Sequence, residues 1–190
     1  MARRAFGKRW PIIATAAVVL VAAGGATAVF LVGSAQRRDD RRAYLAYERA
    51  ALVPIREGGQ IVQEEMKPSL AQLHNGNVTV TDALTRASGW RNVLRSELTT
   101  LLALRPPSFL EDIDAKWTAS FDAYVSIADL FAQAARASGP ERDRLLDAAA
   151  AAGTRADSLF DAAARVMQFH RRRLGLGPTH SLPDPASTGS

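Results

Sequence analysis

Apolar and polar positions follow two regimes along this chain. From Pro11 to Gly33 no charged side chain occurs, and Ile12, Ile13, Val18–Val21 and Val29–Val32 carry the hydrophobicity. Beyond Arg37 the apolar residues recur three and four apart, which is the spacing of one helix face. Strand-like alternation is almost absent.

Four amphipathic segments follow from that spacing. The first covers Arg37–Leu73, with an apolar line at Leu45, Leu52, Ile55, Gly59, Val62, Met66 and Leu73. Pro54 and Pro68 each lack a backbone donor, so a kink or break is expected near each. The pair Gly58-Gly59 weakens the same stretch, and His74–Asn77 is a turn cluster. The second segment starts near Thr81, buries Leu84, Trp90, Leu94, Leu98, Leu101 and Leu104, and stops at Pro106-Pro107. The third opens on Ser108 with Glu111 three residues later, a capping-box spacing. Its inner line is Leu110, Ile113, Trp117, Phe121, Tyr124, Ala128, Phe131 and Ala135, and Gly139 ends it. The fourth starts at Pro140 and Glu141, with an Ala-rich face that includes Leu145, Ala149, Ala156, Ala163 and His170. Arg171–Arg173 suit its C-terminal dipole and Gly175 its C′ position.

The expected fold class is all-α: a single N-terminal transmembrane helix followed by an up-down-up-down four-helix bundle, since short links make consecutive helices antiparallel. The expected divisions are a basic cytoplasmic stretch at 1–10, a transmembrane helix at 11–33, a bundle outside the cytoplasm at 34–174 and a disordered tail at 175–190. A spanning helix needs about 20 apolar residues, a length that Pro11–Gly33 supplies. Arg3, Arg4, Lys8 and Arg9 precede the run without any acid, whereas Asp39 and Asp40 dilute the cations after it. That asymmetry orients the N-terminus toward the cytoplasm. A cleaved signal peptide is the competing reading, because Ala26-Thr27-Ala28 has the A-x-A pattern. The stretch Arg3-Arg4-Ala5-Phe6-Gly7-Lys8 also resembles a twin-arginine export signal, departing from it at Ala2 and Gly7. Both readings put the bundle outside the cytoplasm.

Composition narrows the chemistry. The chain contains no Cys, so disulfides, thiolate metal sites and thiol nucleophiles are excluded. Its net charge of +5 comes mostly from the N-terminus, because from Ser34 onward 20 Lys and Arg face all 19 Asp and Glu. A domain so nearly neutral argues against nucleic acid as a partner.

Candidate sites are few. Of the three histidines, His74, His170 and His180, none belongs to an E-x-x-H pair, so no metal or other cofactor is expected. No nucleophile elbow, Walker loop or dinucleotide fingerprint occurs, and no catalytic residues are assigned. Gly24 and Ala28 form a small-x-x-x-small pair suited to close packing against another membrane helix. An up-down-up-down order places Arg171, Arg172 and Arg173 on the same side as Arg37, Arg38, Arg41 and Arg42, a basic collar for anionic headgroups. Pro54, Gly58 and Gly59 mark a hinge or an opening. The aromatics Trp90, Trp117, Phe121, Tyr124 and Phe131 either line a small-molecule pocket or pack the core.

The expected partners are therefore the lipid bilayer and a membrane protein, self or other. The expected role is a non-enzymatic interaction or accessory subunit. The layout also resembles the four-helix extracellular domains of bacterial chemoreceptors and sensor kinases, which implies ligand sensing. The second membrane passage and cytoplasmic output of those receptors are not expected here, so any signal would pass through a partner.

Overall fold

The computed structural model describes the backbone of residues 10–177 and the side chains of residues 35–177. The described chain is helical, without strands, and packs as a helical bundle. Its elements are α1 (Trp10–Gln60), a π-helical turn (Ile61–Met66), α2 (Lys67–His74), α3 (Val80–Ala103), a 3-10 turn (Ser108–Leu110), α4 (Glu111–Arg136) and α5 (Gly139–Arg173). Two compact units divide the chain, Met1–Arg42 and Ala43–Ser190, with α1 contributing to both. Among the described residues no helix is long and apolar enough to cross a membrane. The predicted span at 11–33 lies outside the residues described with side chains. So do the N-terminal stretch and the tail beyond Gly177.

In the second unit, α4 is the central rod. It packs against both α3 and α5, and every position of its predicted inner line from Leu110 to Ala135 is buried. On α5, Ala149, Ala156 and Ala163 recur every seven residues and are fully buried. Their small side chains let α4 come close enough for Ser120 Oγ to donate to the Ala156 carbonyl at 2.9 Å. Large rings fill the remaining space: Trp90 lies against Phe131 at 4.9 Å between centroids, and Tyr47 stacks on Trp117 at 6.3 Å.

The predicted line of the first segment holds at Ile55, Val62, Met66 and Leu73 and is displaced by one residue at Leu45, Leu52 and Gly59. Tyr44, Tyr47, Glu48, Ala51, Ile55 and Val62 are buried, while Leu45 and Leu52 are half-buried at the core's edge. Pattern reading left Tyr44, Tyr47 and Glu48 out of the line, but their polar ends find partners inside. Of the kink or break expected near Pro54 there is no break, since Pro54 sits within a continuous α1. One further expectation is corrected. Ser108 makes no capping hydrogen bond; it opens a 3-10 turn, and Leu110 stands at the α4 N-cap. Among the described residues a side-chain cap is found on α3, where Thr79 Oγ1 accepts from the Asp82 amide at 3.1 Å and donates to the Asp82 carboxylate at 2.7 Å.

The chain changes helix type before Pro68. A proline ring clashes with the carbonyl four residues back, here that of Glu64. The wider turn at Ile61–Met66 relieves that clash, and the Lys67 amide donates to the Val62 carbonyl, five residues back. Pro68 then falls in the first turn of α2, where its missing donor costs nothing.

Candidate functional site

The residues with most chemistry to offer converge where α5 ends. Gly175 adopts φ +68°, the left-handed conformation that glycine reaches without penalty. The Leu176 amide donates to the Arg171 carbonyl and the Gly175 amide to that of Arg172, each at 3.0 Å, which completes a Schellman cap. The side chain of Arg171 turns inward from this last turn. Its Nη1 pairs with Glu48 of α1, and its Nε donates to the Gly177 carbonyl. Glu48 is only 4% exposed. Tyr44, fully buried, places its hydroxyl 3.1 Å from the Met167 carbonyl and 3.2 Å from Glu48 Oε1. Its single proton serves one of those acceptors at a time. Burial, and after it the Glu48 charge, pushes the Tyr44 phenol above its ordinary range, so it remains protonated.

A row of rings borders this network. The Phe109 ring, on the α3–α4 connection, lies 5.5 Å from His170, and Phe169 meets the same imidazole edge-on at 5.5 Å. Burial lowers the His170 pKa, and the neighbouring Arg173 lowers it further. Met167, one turn away, is fully buried. Among the described residues no group of three or more acids and histidines is arranged to hold a metal ion.

The other predicted site residues are dispersed. Gly24 and Ala28 lie outside the residues described with side chains. Arg37, Arg38, Arg41 and Arg42 are exposed on the part of α1 that belongs to the first unit. In the second unit Arg172 and Arg173 are exposed, whereas Arg171 is held inward by Glu48. Gly58 is buried, and a Cβ built on it would lie 2.3 Å from Cε1 of Phe121. The space at Gly58 is therefore occupied by a ring, and Gly59 meets nothing within 4 Å. Of the two readings of the aromatics, core packing is the one found: Trp90, Trp117, Phe121 and Phe131 are each at most 2% exposed. Leu176, which falls within the expected tail, packs against the core, and residues 178–190 of that tail lie outside the described residues.

Two clefts open on the surface of the second unit. A groove of about 490 Å³ runs between α4 and α5 over Ala119, Ala123, Ala152 and Leu159, with Asp122 and Arg155 beside it. A smaller one of about 180 Å³ lies next to the π-turn, over Glu64, Glu65, Ser69, Gln72 and Arg86. There Arg86 Nη1 donates to Ser69 and Gln72, both at 2.9 Å, while Trp90 Nε1 donates to Glu65 at 2.8 Å.

Other polar groups tie helix to helix. Tyr47 donates to Asp114 at 2.7 Å, and Tyr124 donates to Asp157, which also pairs with Lys67. Burial first, and then the adjacent carboxylate, raises both phenols. These tyrosines are fixed as hydrogen-bond donors and supply no base at neutral pH. Pattern reading missed Tyr44, Glu48, Phe109 and Phe169. Only Phe169 left a signal, standing three and four residues before Arg172 and Arg173 on one helix face. No family model, curated protein or solved structure matches the chain.

Proposed function

We propose that this chain is a membrane-anchored bundle protein that acts outside the cytoplasm through contacts with other proteins and performs no catalysis. The observation that carries the reading is the uncharged run Pro11–Gly33 between basic clusters. It has the length and flanks of a signal anchor whose N-terminus stays in the cytoplasm. An up-down-up-down order is favoured by the short connections and by the packing of α4 on both α3 and α5. Large aromatic side chains fill the bundle, so its outward faces are what remain for partners. Gly24 and Ala28 offer a close-packing strip to a second membrane helix. Arg37, Arg38, Arg41 and Arg42 meet anionic headgroups just beyond the run.

Two measurements test this reading. Alkaline carbonate should leave the chain in the membrane fraction, and a periplasmic reporter fused after Gly177 should be active. Release by carbonate, or an inactive reporter, rejects it. Crosslinking in native membranes should then capture a protein partner, and the Gly24→Leu variant should capture less of it.

A further inference from the structure

We propose that the end of the bundle formed by the α3–α4 connection and the last turn of α5 is a lip that docks into the interface of an anionic lipid bilayer. This rests on the anchored reading above and revises its basic collar.

Three observations support the lip. First, it exposes apolar side chains that the bundle has no use for. Phe169 is 54% exposed and Leu102, on the last turn of α3, is 62% exposed. The Phe109–His170–Phe169 row joins the α3–α4 connection to α5. Second, the surrounding charge is cationic and unengaged. Arg105, Arg172 and Arg173 are exposed, and among the described residues none has an acidic partner. The acids nearby are mostly engaged: Glu48 holds Arg171, Asp114 accepts from Tyr47 and Asp112 pairs with Lys116, which leaves Glu111. Exposed aromatic and aliphatic groups among arginines are the chemistry of a headgroup–acyl boundary. Third, the tether is short. Residues 34–42 alone lie between the apolar run and Ala43, where the second unit begins in the sequence. Tyr44 and Glu48, which follow, are fastened to Met167 and Arg171 at this same end. The collar is thereby redrawn: Arg171 leaves it, and Arg105 and Phe169 join.

The chain has no cysteine, so a Phe169→Cys variant of the full chain can carry a single polarity-sensitive fluorophore. Thr154→Cys, exposed on α5 and about 22 Å further along that helix, carries the control. Both are reconstituted into phosphatidylcholine vesicles, with or without phosphatidylglycerol, doped with lipid spin-labelled near the headgroup. Quenching at position 169 should exceed that at position 154 by about threefold in anionic vesicles and should fall in neutral ones. Adding Arg172→Gln and Arg173→Gln should remove at least half of the anionic increment. Equal quenching at 169 and 154 overturns the lip, even if 169 then crosslinks to an acidic protein. Quenching that ignores phosphatidylglycerol or the arginine changes overturns the headgroup assignment. Carbonate extraction of the same samples reads the anchor separately, and a released chain can be added to the same vesicles so that the probe still reports on the lip.

Discussion

The ring of Phe121 on α4 occupies the space that a side chain on residue 58 of α1 would need. The Cβ of any residue there would fall 2.3 Å from Cε1 and 2.6 Å from Cζ. Phe121 is 1% exposed and cannot swing into solvent. Gly58→Ala should therefore destabilise the bundle by about 1–3 kcal/mol, the usual cost of overpacking. Gly59→Ala, with nothing near its Cβ, should be neutral or mildly stabilising. Urea unfolding checks both, and Phe121→Leu in the Gly58→Ala background should recover part of the loss.

Arg171 and Glu48 should respond unequally to mutation. Arg171→Met strands a carboxylate that is 4% exposed, and removing one partner of a buried pair costs about 3–5 kcal/mol. Glu48→Gln keeps one acceptor oxygen, enough for Arg171, while Tyr44 still has the Met167 carbonyl, and should cost about 1–2 kcal/mol. Thermal denaturation separates the two variants.

Two groups should tilt the pH dependence in opposite directions. The His170 pKa is depressed in the fold, first by burial and then by Arg173. Its neutral form is favoured, so its contribution is present above about pH 6.5 and lost as the pH falls through the folded value. His170→Phe should flatten the fall in melting temperature between about pH 7 and 5. The Glu97 pKa is raised, first by burial and then by Glu57 across the α1–α3 seam. Its contribution is present at low pH and lost as the pH rises through the folded value. Glu97→Gln should thus add about 0.5 kcal/mol at neutral pH, with the gain vanishing in acid.

The two core indoles should differ when replaced by Phe. Trp90 Nε1 donates to Glu65 at 2.8 Å, whereas Trp117 Nε1 is buried without a protein partner. Both substitutions remove similar volume. Trp90→Phe forfeits a hydrogen bond and Trp117→Phe removes an orphaned donor, so the former should cost about 1–2 kcal/mol more. Equal losses in urea melts would count against that assignment.

How much of this was legible depends on how local each signal is. The α4 line from Leu110 to Ala135 was readable because its residues are apolar and evenly spaced. The α5 ending was readable because Gly175 follows a basic turn. The α1 register was not, since Tyr44, Tyr47 and Glu48 are buried only through partners 67 to 123 residues away in sequence. No window of a helix's length contains that information. Capping misled for a related reason: Ser108 and Thr79 have equivalent spacing to an acid three residues on, and only Thr79 has backbone free of the constraint of Pro106-Pro107. The lip was half legible, as Phe169 and its arginines share a face, but its closure by Phe109 required the fold.

The π-turn at Ile61–Met66 has a consequence for lineage. Such a turn holds one residue more than the α-helix around it, so it lets the buried line before it and the line after it keep separate phase. A deletion of one residue there, with Pro68 replaced, would convert the turn to ordinary helix and leave Ile55 and Leu73 facing the core. Chains of common descent should accordingly vary in length at this turn before they vary within α4. An alignment that forbids a gap near Gln63 would shift every residue from Met1 to Gln60 by one and hide the kinship.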